Sequence, residues 1–291
     1  MKKIDTLIED IEATLLGQNG WDEAVGKAMA ENIAWVAKSR FSKPQKPRGY
    51  LSLSSVGTPC QRKLWHRINR TELAEKTNAS GYLKFFYGDM VEELILSLVR
   101  ISGHKVEGTQ SRMYVAGIRG HRDAVIDGMT VDVKTTTDFG FKKFKENSLR
   151  DDDAFGYISQ LSSYVYAGKD DPLVTDKNRG AFLVVNKVTG EMVLDIYDFT
   201  DDIKNKEAEV EDIKEMISAD EPPAVPYEPV PQSDSSPNLM LPKDCGWCEF
   251  KKLCYPNLRK FMYANGKRAV YLTKVVKLPN VPEDLTFNEE E

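Results

Sequence analysis

The chain has 291 residues and a formal net charge of −5, with 41% hydrophobic and 29% charged residues. This composition indicates a globular protein with a sizeable core and argues against a low-complexity chain or one that is basic throughout. The sequence has no apolar run near the roughly 18 residues of a transmembrane helix and no apolar segment of a secretory signal at its N-terminus. We therefore expect an intracellular, cytoplasmic protein without a membrane partner.

Helices are predicted first along the chain. Leu7, Ile11 and Leu15 have the spacing of one helix face, and a second helix is predicted to end near Lys38. A basic, proline-containing connector follows. Further helices are predicted over 61–70 and over 82–101, where Gly103 is placed to end the second of them.

The period then changes to that of β-strands. Residues 105–136 alternate as strands around a turn at Asp127-Gly128, and strands are also predicted over 181–185 and 193–197. Helices are predicted over 155–167 and 201–217. The proline-rich residues 221–243 are predicted to form an extended linker before a compact cysteine-containing segment and an acidic tail.

This order of elements predicts an α/β fold with a mixed central sheet flanked by helices. N-terminal helices precede it and a C-terminal cysteine-containing cap follows it. We divide the chain into an N-terminal helical region with its basic connector (1–50), a core (51–220) and a C-terminal part (221–291).

Lysine and arginine are concentrated in two stretches despite the negative net charge. Residues 38–70 contain nine Lys or Arg and no acid, and residues 249–277 contain eight Lys or Arg and one acid. The balancing acids lie mainly in residues 201–221 and 289–291. Such blocks indicate either a positive face for a nucleic acid or an ordinary solvated surface.

Residues 120–135 predict a hairpin with opposed acids. If Asp127-Gly128 forms the two-residue turn, Asp123 lies opposite Asp132 on the same face. Two carboxylates so placed repel each other, and a divalent cation between them reverses the sign of that interaction. Lys134 lies two residues after Asp132 and therefore points to the same side.

This set of side chains suits hydrolysis of a phosphodiester. Carboxylate oxygens bind a hard cation such as Mg²⁺ or Mn²⁺, which activates water and offsets charge on the phosphate. A neighbouring lysine stabilises developing negative charge. The alternative is a surface hairpin without a site, and for Asp127 itself we prefer a plain turn role.

The hairpin resembles the motifs of the RecB-like branch of the PD-(D/E)xK nucleases. Residues 120–123 read GHRD, like the G-x-x-D motif, and residues 132–134 read DVK, like the D/E-x-K motif. The resemblance implies a restriction-endonuclease-like core in which Asp123, Asp132 and Lys134 are catalytic.

A third motif of the same family follows on the predicted helix 155–167. Residues 160–164 read QLSSY, like the Q-x-x-x-Y motif. The resemblance implies that Gln160 positions the water or the lysine and that Tyr164 contacts the DNA phosphate. A tyrosine packed in the core is the alternative for Tyr164.

The upstream motif of the family points to a carboxylate on the predicted helix 82–101. RecB-like enzymes usually carry Gly and, four residues later, His on this helix, whereas Gly88 is followed at that spacing by Glu92. The resemblance implies that Glu92, Asp123 and Asp132 are metal ligands, an all-oxygen set that favours Mg²⁺. Glu93 is the alternative on this helix.

The four cysteines indicate one metal site. Cys245, Cys248 and Cys254 form a C-x₂-C-x₅-C pattern, and Cys60 lies far upstream. Four thiols with none to spare, in a reducing compartment, favour a metal over two disulfides. Zinc and a [4Fe–4S] cluster both accept four cysteines.

The split of the cysteines resembles the iron–sulfur centre of AddB-type and CRISPR-associated RecB-like exonucleases. In those families one cysteine precedes the nuclease core and three follow it, and the sequence around Cys60, PCQRKLW, is also similar. The resemblance implies a structural [4Fe–4S] cluster bound by Cys60, Cys245, Cys248 and Cys254, with zinc as the alternative.

The resemblance spans about residues 55–255. It implies a stand-alone metal-dependent DNA exonuclease that acts on linear or single-stranded DNA in end processing or recombination. Small enzymes of this kind occur in phages, in which case the location is the host cytoplasm. Three alternatives stay open: a structure-specific endonuclease on the same fold, a non-catalytic nucleic-acid-binding module, and a zinc-containing interaction protein.

Overall fold

A computed structural model provides the structure of the chain and describes residues 2–45, 47–262 and 269–288. The predicted acidic tail at 289–291 lies outside these residues. The chain divides into two compact units. The first comprises Met1–Pro59 and Thr77–Ser218, and the second comprises Cys60–Lys76 and Ala219–Glu291.

The α-helices and β-strands are numbered separately in chain order. The helices are α1 (Leu7–Leu15), α2 (Glu23–Phe41), α3 (Gln61–Asn69), α4 (Ala79–Ile101), α5 (Asp138–Lys145), α6 (Tyr157–Ala167), α7 (Lys206–Ser218) and α8 (Lys251–Cys254). The strands are β1 (Val106–Glu107), β2 (Arg112–Val115), β3 (Ile118–His121), β4 (Ala124–Ile126), β5 (Met129–Thr136), β6 (Arg179–Asn186), β7 (Met192–Asp198), β8 (Val230–Pro231), β9 (Leu239–Met240), β10 (Arg259–Met262) and β11 (Ala269–Lys274).

The first unit is built on a five-stranded sheet in the order β1-β4-β5-β6-β7. Strands β5 and β6 are parallel, while the β1–β4, β4–β5 and β6–β7 pairs are antiparallel. The predicted mixed central sheet is therefore confirmed. Strands β2 and β3 form a separate two-stranded sheet.

Helices cover both faces of the five-stranded sheet. Strand β6 shows why, because its side chains alternate between two hydrophobic clusters. Ala181 and Leu183 pack in a cluster with residues of α1 and α4, whereas Phe182 and Val184 pack in a cluster with residues of α5 and α6. The unit therefore has a helix–sheet–helix arrangement, in agreement with the predicted flanking helices.

Helix α4 ends at Ile101, as the sequence predicts. Gly103 has a φ of 86°, a left-handed conformation that glycine adopts without steric cost. The N–H of Gly103 donates to the Arg100 carbonyl, and the N–H of His104 donates to the Val99 carbonyl. These bonds satisfy carbonyls of the last helical turn. This end matters because the helix carries Glu92.

The second unit contains α3, α8 and a four-stranded sheet in the order β10-β11-β9-β8. The proline-rich residues 221–243 are extended, as predicted, but they are more than a linker, because β8 and β9 within them pair with each other and β9 pairs with β11. Leu241, Cys245, Tyr255 and Leu258 form a small buried cluster in this unit.

A search of the helices for membrane spans covered residues 2–45, 47–262 and 269–288. Within that part of the chain, every helix is too short or too polar to cross a bilayer.

Candidate functional site

The predicted hairpin forms in the predicted register. Ile126 pairs with Met129, and the ladder continues to Ala124 and Val131. Asp127 and Gly128 have φ angles of 49° and 85°, as a two-residue turn with two positive φ angles requires.

Asp123 lies just beyond the end of this ladder. Its side chain, in place of its backbone, makes the next hydrogen bond to β5. Its Oδ2 accepts a hydrogen bond of 2.8 Å from the backbone N–H of Val133. This N–H belongs to the peptide between Asp132 and Val133, so the bond fixes the Asp123 carboxylate beside the strand that carries Asp132 and Lys134. The site therefore forms by a different contact from the opposed strand pair that the sequence predicts.

Asp132 is almost completely buried and is held by two side chains. Its Oδ1 accepts a hydrogen bond of 3.2 Å from Gln160 Nε2, and its Oδ2 lies 2.5 Å from Lys134 Nζ. In the described part of the chain, Oδ2 has no donor in good hydrogen-bond geometry, so the ion pair is its main polar contact. Gln160 and Lys134 thus both contact the carboxylate of Asp132.

Glu92 of α4 belongs to the same electrostatic environment. Burial raises its pKa to about 7, and the charge of Asp132 adds to this effect, although a hydrogen bond from Gln110 opposes it. That bond joins Gln110 Nε2 to Glu92 Oε1 over 2.7 Å. Glu93, the alternative ligand, instead accepts a hydrogen bond of 3.0 Å from Asn32 Nδ2.

The pKa of Asp123 is raised, like that of Glu92. Burial raises its pKa well above the ordinary value, and the charges of Asp132 and Glu92 raise it further, whereas Lys134 lowers it. Like charges that cannot separate make ionisation unfavourable. The three predicted carboxylates therefore share one site in which negative charge is undercompensated.

Lys134 is the cation of this site. Burial lowers its pKa, but the charges of Asp132 and Asp123 outweigh that effect, and the net result is a raised pKa. Its Nζ also lies 4.8 Å from the centre of the Tyr157 ring, a cation–π contact. Lys134 is therefore charged at neutral pH and held in place from two sides.

Tyr164 packs in the protein interior with 2% of its surface exposed. A Cβ placed on Gly120 would lie 2.8 Å from its ring atom Cε1 and 2.7 Å from Leu53 Cβ. Gly120, the first residue of the GHRD motif, therefore leaves room for the Tyr164 ring. Burial and the charge of Asp132 raise the pKa of the Tyr164 hydroxyl, although a hydrogen bond with Gln160 lowers it.

Two residues near the carboxylates, Tyr157 and Gln110, are not predicted by the motifs in the sequence. Tyr157 shares one face of α6 with Gln160 and Tyr164, at spacings of three and seven residues, so helical periodicity contains a signal for it. Gln110 lies in an irregular segment and has a φ of 53°, an uncommon left-handed conformation for a residue with a side chain. Its position depends on contacts that no local pattern reports.

The cysteines lie together in the second unit. Cys60, Cys245, Cys248 and Cys254 line one cavity of about 20 Å³, and all four are free thiols. Two of the sulfurs accept backbone N–H bonds: Cys60 from Lys63 at 3.3 Å and Cys248 from Phe250 at 3.4 Å. Burial raises the pKa of Cys60 and Cys248 and raises that of Cys245 to about 11.

A buried histidine shares the cysteine cavity. His66 stacks on Phe250, with ring centres 5.5 Å apart, and is 6% exposed. Neither ring nitrogen has a hydrogen-bond partner among the described residues. A buried polar group without a partner costs about 1–3 kcal/mol, so this ring calls for an explanation.

Several cations of the predicted basic blocks make contacts inside the second unit. Arg67 and Lys63 pair with Glu249 at 2.6 and 3.5 Å. Lys251 pairs with Glu75 and is 5% exposed. These side chains neutralise acids of their own unit. Only some of the Lys and Arg side chains of the two basic stretches are therefore available for a positive surface.

Neither site has the arrangement of a preformed metal centre. Among residues 2–45, 47–262 and 269–288, no group of three or more His, Cys, Asp or Glu side chains has the geometry to hold a metal ion. At the carboxylates, the Lys134 ammonium lies against Asp132.

Comparison with known proteins leaves the family open. The chain matches no known protein-family profile and no curated protein. It is similar to a solved structure described as "Crystal structure of SSO0001", with 13% sequence identity and a TM-score of 0.41, over 78% of this chain and 96% of that chain. A likeness at that level carries no argument about activity.

Proposed function

We propose that the chain is a metal-dependent DNA nuclease of the RecB-like PD-(D/E)xK type and that it acts as an exonuclease on linear or single-stranded DNA. The observation that supports this most is the meeting of three carboxylates with one charged lysine. Burial and mutual repulsion raise the pKa of Asp123 and Glu92, while Lys134 lies 2.5 Å from Asp132. Perturbed carboxylates of this kind are typical of functional sites.

The donor set fits a hard divalent cation. Glu92, Asp123 and Asp132 would hold it, since all three offer oxygen ligands and since bound positive charge would relieve their repulsion. Asp132 Oδ2, buried and without a well-placed donor in the described chain, is the atom with most to gain. When bound, Mg²⁺ or Mn²⁺ would activate water and offset charge on the phosphate.

The protein side chains would supply positioning and charge. Gln160 orients Asp132 through Oδ1, and the Val133 N–H orients Asp123. Lys134 keeps its charge and, placed by the Tyr157 ring, would stabilise negative charge that develops on the phosphate. Tyr164 is buried and would act by supporting Gln160. Within its side chain, the hydroxyl is the group that could contact a phosphate.

The cysteine cavity supports a second part of the proposal. Four free thiols that line one small cavity, two of them accepting backbone N–H bonds, fit a structural [4Fe–4S] cluster, with zinc as the alternative. A metal there would bind thiolates, and this would offset the burial that now raises the pKa of three of the cysteines. Reduced thiols and a DNA substrate together imply a cytoplasmic location.

The test is a cleavage assay on protein purified without oxygen. End-labelled linear DNA, single-stranded and double-stranded, and covalently closed circular DNA are incubated with Mg²⁺, Mn²⁺ or EDTA. We expect metal-dependent loss of linear DNA only, with a brown sample that absorbs visible light. Cleavage of the circle would favour the structure-specific endonuclease. DNA binding without cleavage in either metal would overturn the enzyme and favour a binding module.

A further inference from the structure

A second recess lies next to the carboxylates of the first unit. It is a cavity of about 200 Å³, and its wall includes Trp35 of α2, Glu92 and Arg100 of α4, and Gln110. Glu92 is therefore common to this cavity and to the carboxylate site. A ligand in the cavity would lie within reach of the same side chain that would hold the cation.

Trp35 gives the cavity an exposed aromatic wall. The side chain is 69% exposed, and α2 has no buried residue along its length. Isolated exposed aromatic residues are common and need no explanation. Trp35 differs because it lines a cavity whose other lining residues, apart from Leu96, are polar, and such a ring can stack on a planar ligand.

Arg100 gives the cavity an unpaired cation. It is partly buried, and this burial lowers the pKa of its guanidinium, while the charge of Glu93 opposes the effect. Among residues 2–45, 47–262 and 269–288, its side chain has no ion pair and no hydrogen bond. Partly desolvated guanidinium groups are favourable partners for phosphate oxygens.

Gln110 couples this cavity to the carboxylates. Its side chain donates to Glu92, and its backbone N–H donates to the Asp123 carbonyl at 3.2 Å. The residue holds a left-handed backbone with a φ of 53° while it makes both contacts. One wall of the cavity is thus hydrogen-bonded to the carboxylate of Glu92 and to the backbone of Asp123.

We propose that this cavity binds one unpaired nucleotide of a DNA strand, with its base stacked on Trp35 and its phosphate paired with Arg100. The proposal rests on the proposed nuclease function and names its substrate as single-stranded DNA. One feature favours a nucleotide over a free anion. Glu92 and Glu93 also line the cavity and repel an anion, so binding needs the stacking contribution of a base.

The experiment measures equilibrium binding of fluorescein-labelled oligothymidine in EDTA, where no cleavage occurs. The variants are Trp35→Ala, Arg100→Gln and Arg100→Lys. Matched controls are Trp21→Ala, an exposed tryptophan that does not line the cavity, and Lys204→Gln, an exposed lysine of the same unit. Urea unfolding of every variant checks that the fold is retained.

We expect Trp35→Ala to weaken binding about tenfold, the effect of losing one base–aromatic stack. We expect Arg100→Gln to lower the slope of log Kd against log salt by about 0.7, as for one phosphate contact to a single strand, and Arg100→Lys to keep the slope. An oligonucleotide with abasic sites should bind the wild type and Trp35→Ala equally.

The nucleotide site and the nuclease activity can fail independently in these experiments. Oligothymidine binding that is sensitive to Trp35 and Arg100, in a protein that cleaves nothing with Mg²⁺ or Mn²⁺, supports the nucleotide site and overturns the enzyme. Metal-dependent cleavage with wild-type binding in Trp35→Ala and Arg100→Gln supports the enzyme and overturns the site. Equal losses in Trp35→Ala and Trp21→Ala, or no binding of oligothymidine by the wild type, also overturn the site.

Discussion

Replacing Glu92 with glutamine is expected to stabilise the metal-free protein at alkaline pH. The carboxyl of Glu92 has a pKa raised from 4.5 to about 7 by burial and neighbouring acids. Because the folded pKa is the higher one, the contribution of Glu92 to the free energy of unfolding is fully present below about pH 4.5. It is lost as the pH rises through about 7.

The size of the effect follows from that pKa. The difference between 4.5 and about 7 corresponds to roughly 3 kcal/mol at 1.36 kcal/mol for each pKa unit. Glu92 is only partly buried, so solvent screening reduces this to about 1–3 kcal/mol. Glutamine keeps an oxygen for the hydrogen bond from Gln110 and removes the charge.

The assay is urea unfolding of the wild type and Glu92→Gln in EDTA, at pH 5 and pH 8. Glu93→Gln, which removes a carboxylate from the next position of the same helix, is the matched control. We expect Glu92→Gln to gain stability at pH 8 and little at pH 5. Addition of Mg²⁺ at pH 8 should stabilise the wild type more than the variant. An equal difference at both pH values, or no gain at pH 8, would refute the reasoning.

Three further substitutions test other parts of the account. Gly120→Ala should lower the free energy of unfolding by about 1–3 kcal/mol, because its Cβ would lie 2.8 Å from the Tyr164 ring, and an unchanged urea midpoint would contradict this. Gly88→Ala should raise that free energy by about 0.5–1 kcal/mol, since its Cβ meets no atom within 4 Å, yet it should slow DNA cleavage because it lies one turn before Glu92. A variant as active as the wild type would show that DNA does not approach this turn. His66→Phe should leave the metal-free protein at least as stable as the wild type, because it removes two buried ring nitrogens that lack partners in the described chain, and it should change the visible absorption of the metal-loaded protein. An identical spectrum would mean that His66 does not face the metal.

The parts of the fold that could be predicted from sequence are those encoded locally. Asp127-Gly128 specifies a two-residue turn, and the register of β4 and β5 follows from it. Gly103 ends α4 at the predicted residue. Alternation along β6 indicates a strand, and its burial on both faces becomes clear only with the helices in place.

Elements that depend on distant partners cannot be predicted from local sequence patterns. Strands β8 and β9 have two residues each, too few for a periodic pattern, and they exist because they pair with each other and β9 pairs with β11. Helix α5 has eight residues around Phe141 and Phe144, and this pattern is too short to predict a helix from the sequence alone.

In the candidate site, too, some contacts could be predicted from sequence motifs and others depend on the folded structure. The motif residues Asp132 and Lys134 are two positions apart on β5, Gln160 lies on the predicted helix α6, and the structure brings the three into contact. The hydrogen bond from Val133 to Asp123 and the position of Gln110 depend on where a strand ends and how a loop folds. Neither follows from side-chain spacing.

The most direct test of the central claim is cleavage of end-labelled linear DNA by Asp132→Asn and Lys134→Ala, in Mg²⁺ and in Mn²⁺. Asp201→Asn is the control, because Asp201 is 90% exposed and pairs only with a surface lysine among the described residues. We expect both site variants to cleave at least about 100-fold more slowly than the wild type while they retain DNA binding, and we expect the control to cleave normally. Undiminished cleavage by both Asp132→Asn and Lys134→Ala would contradict the account.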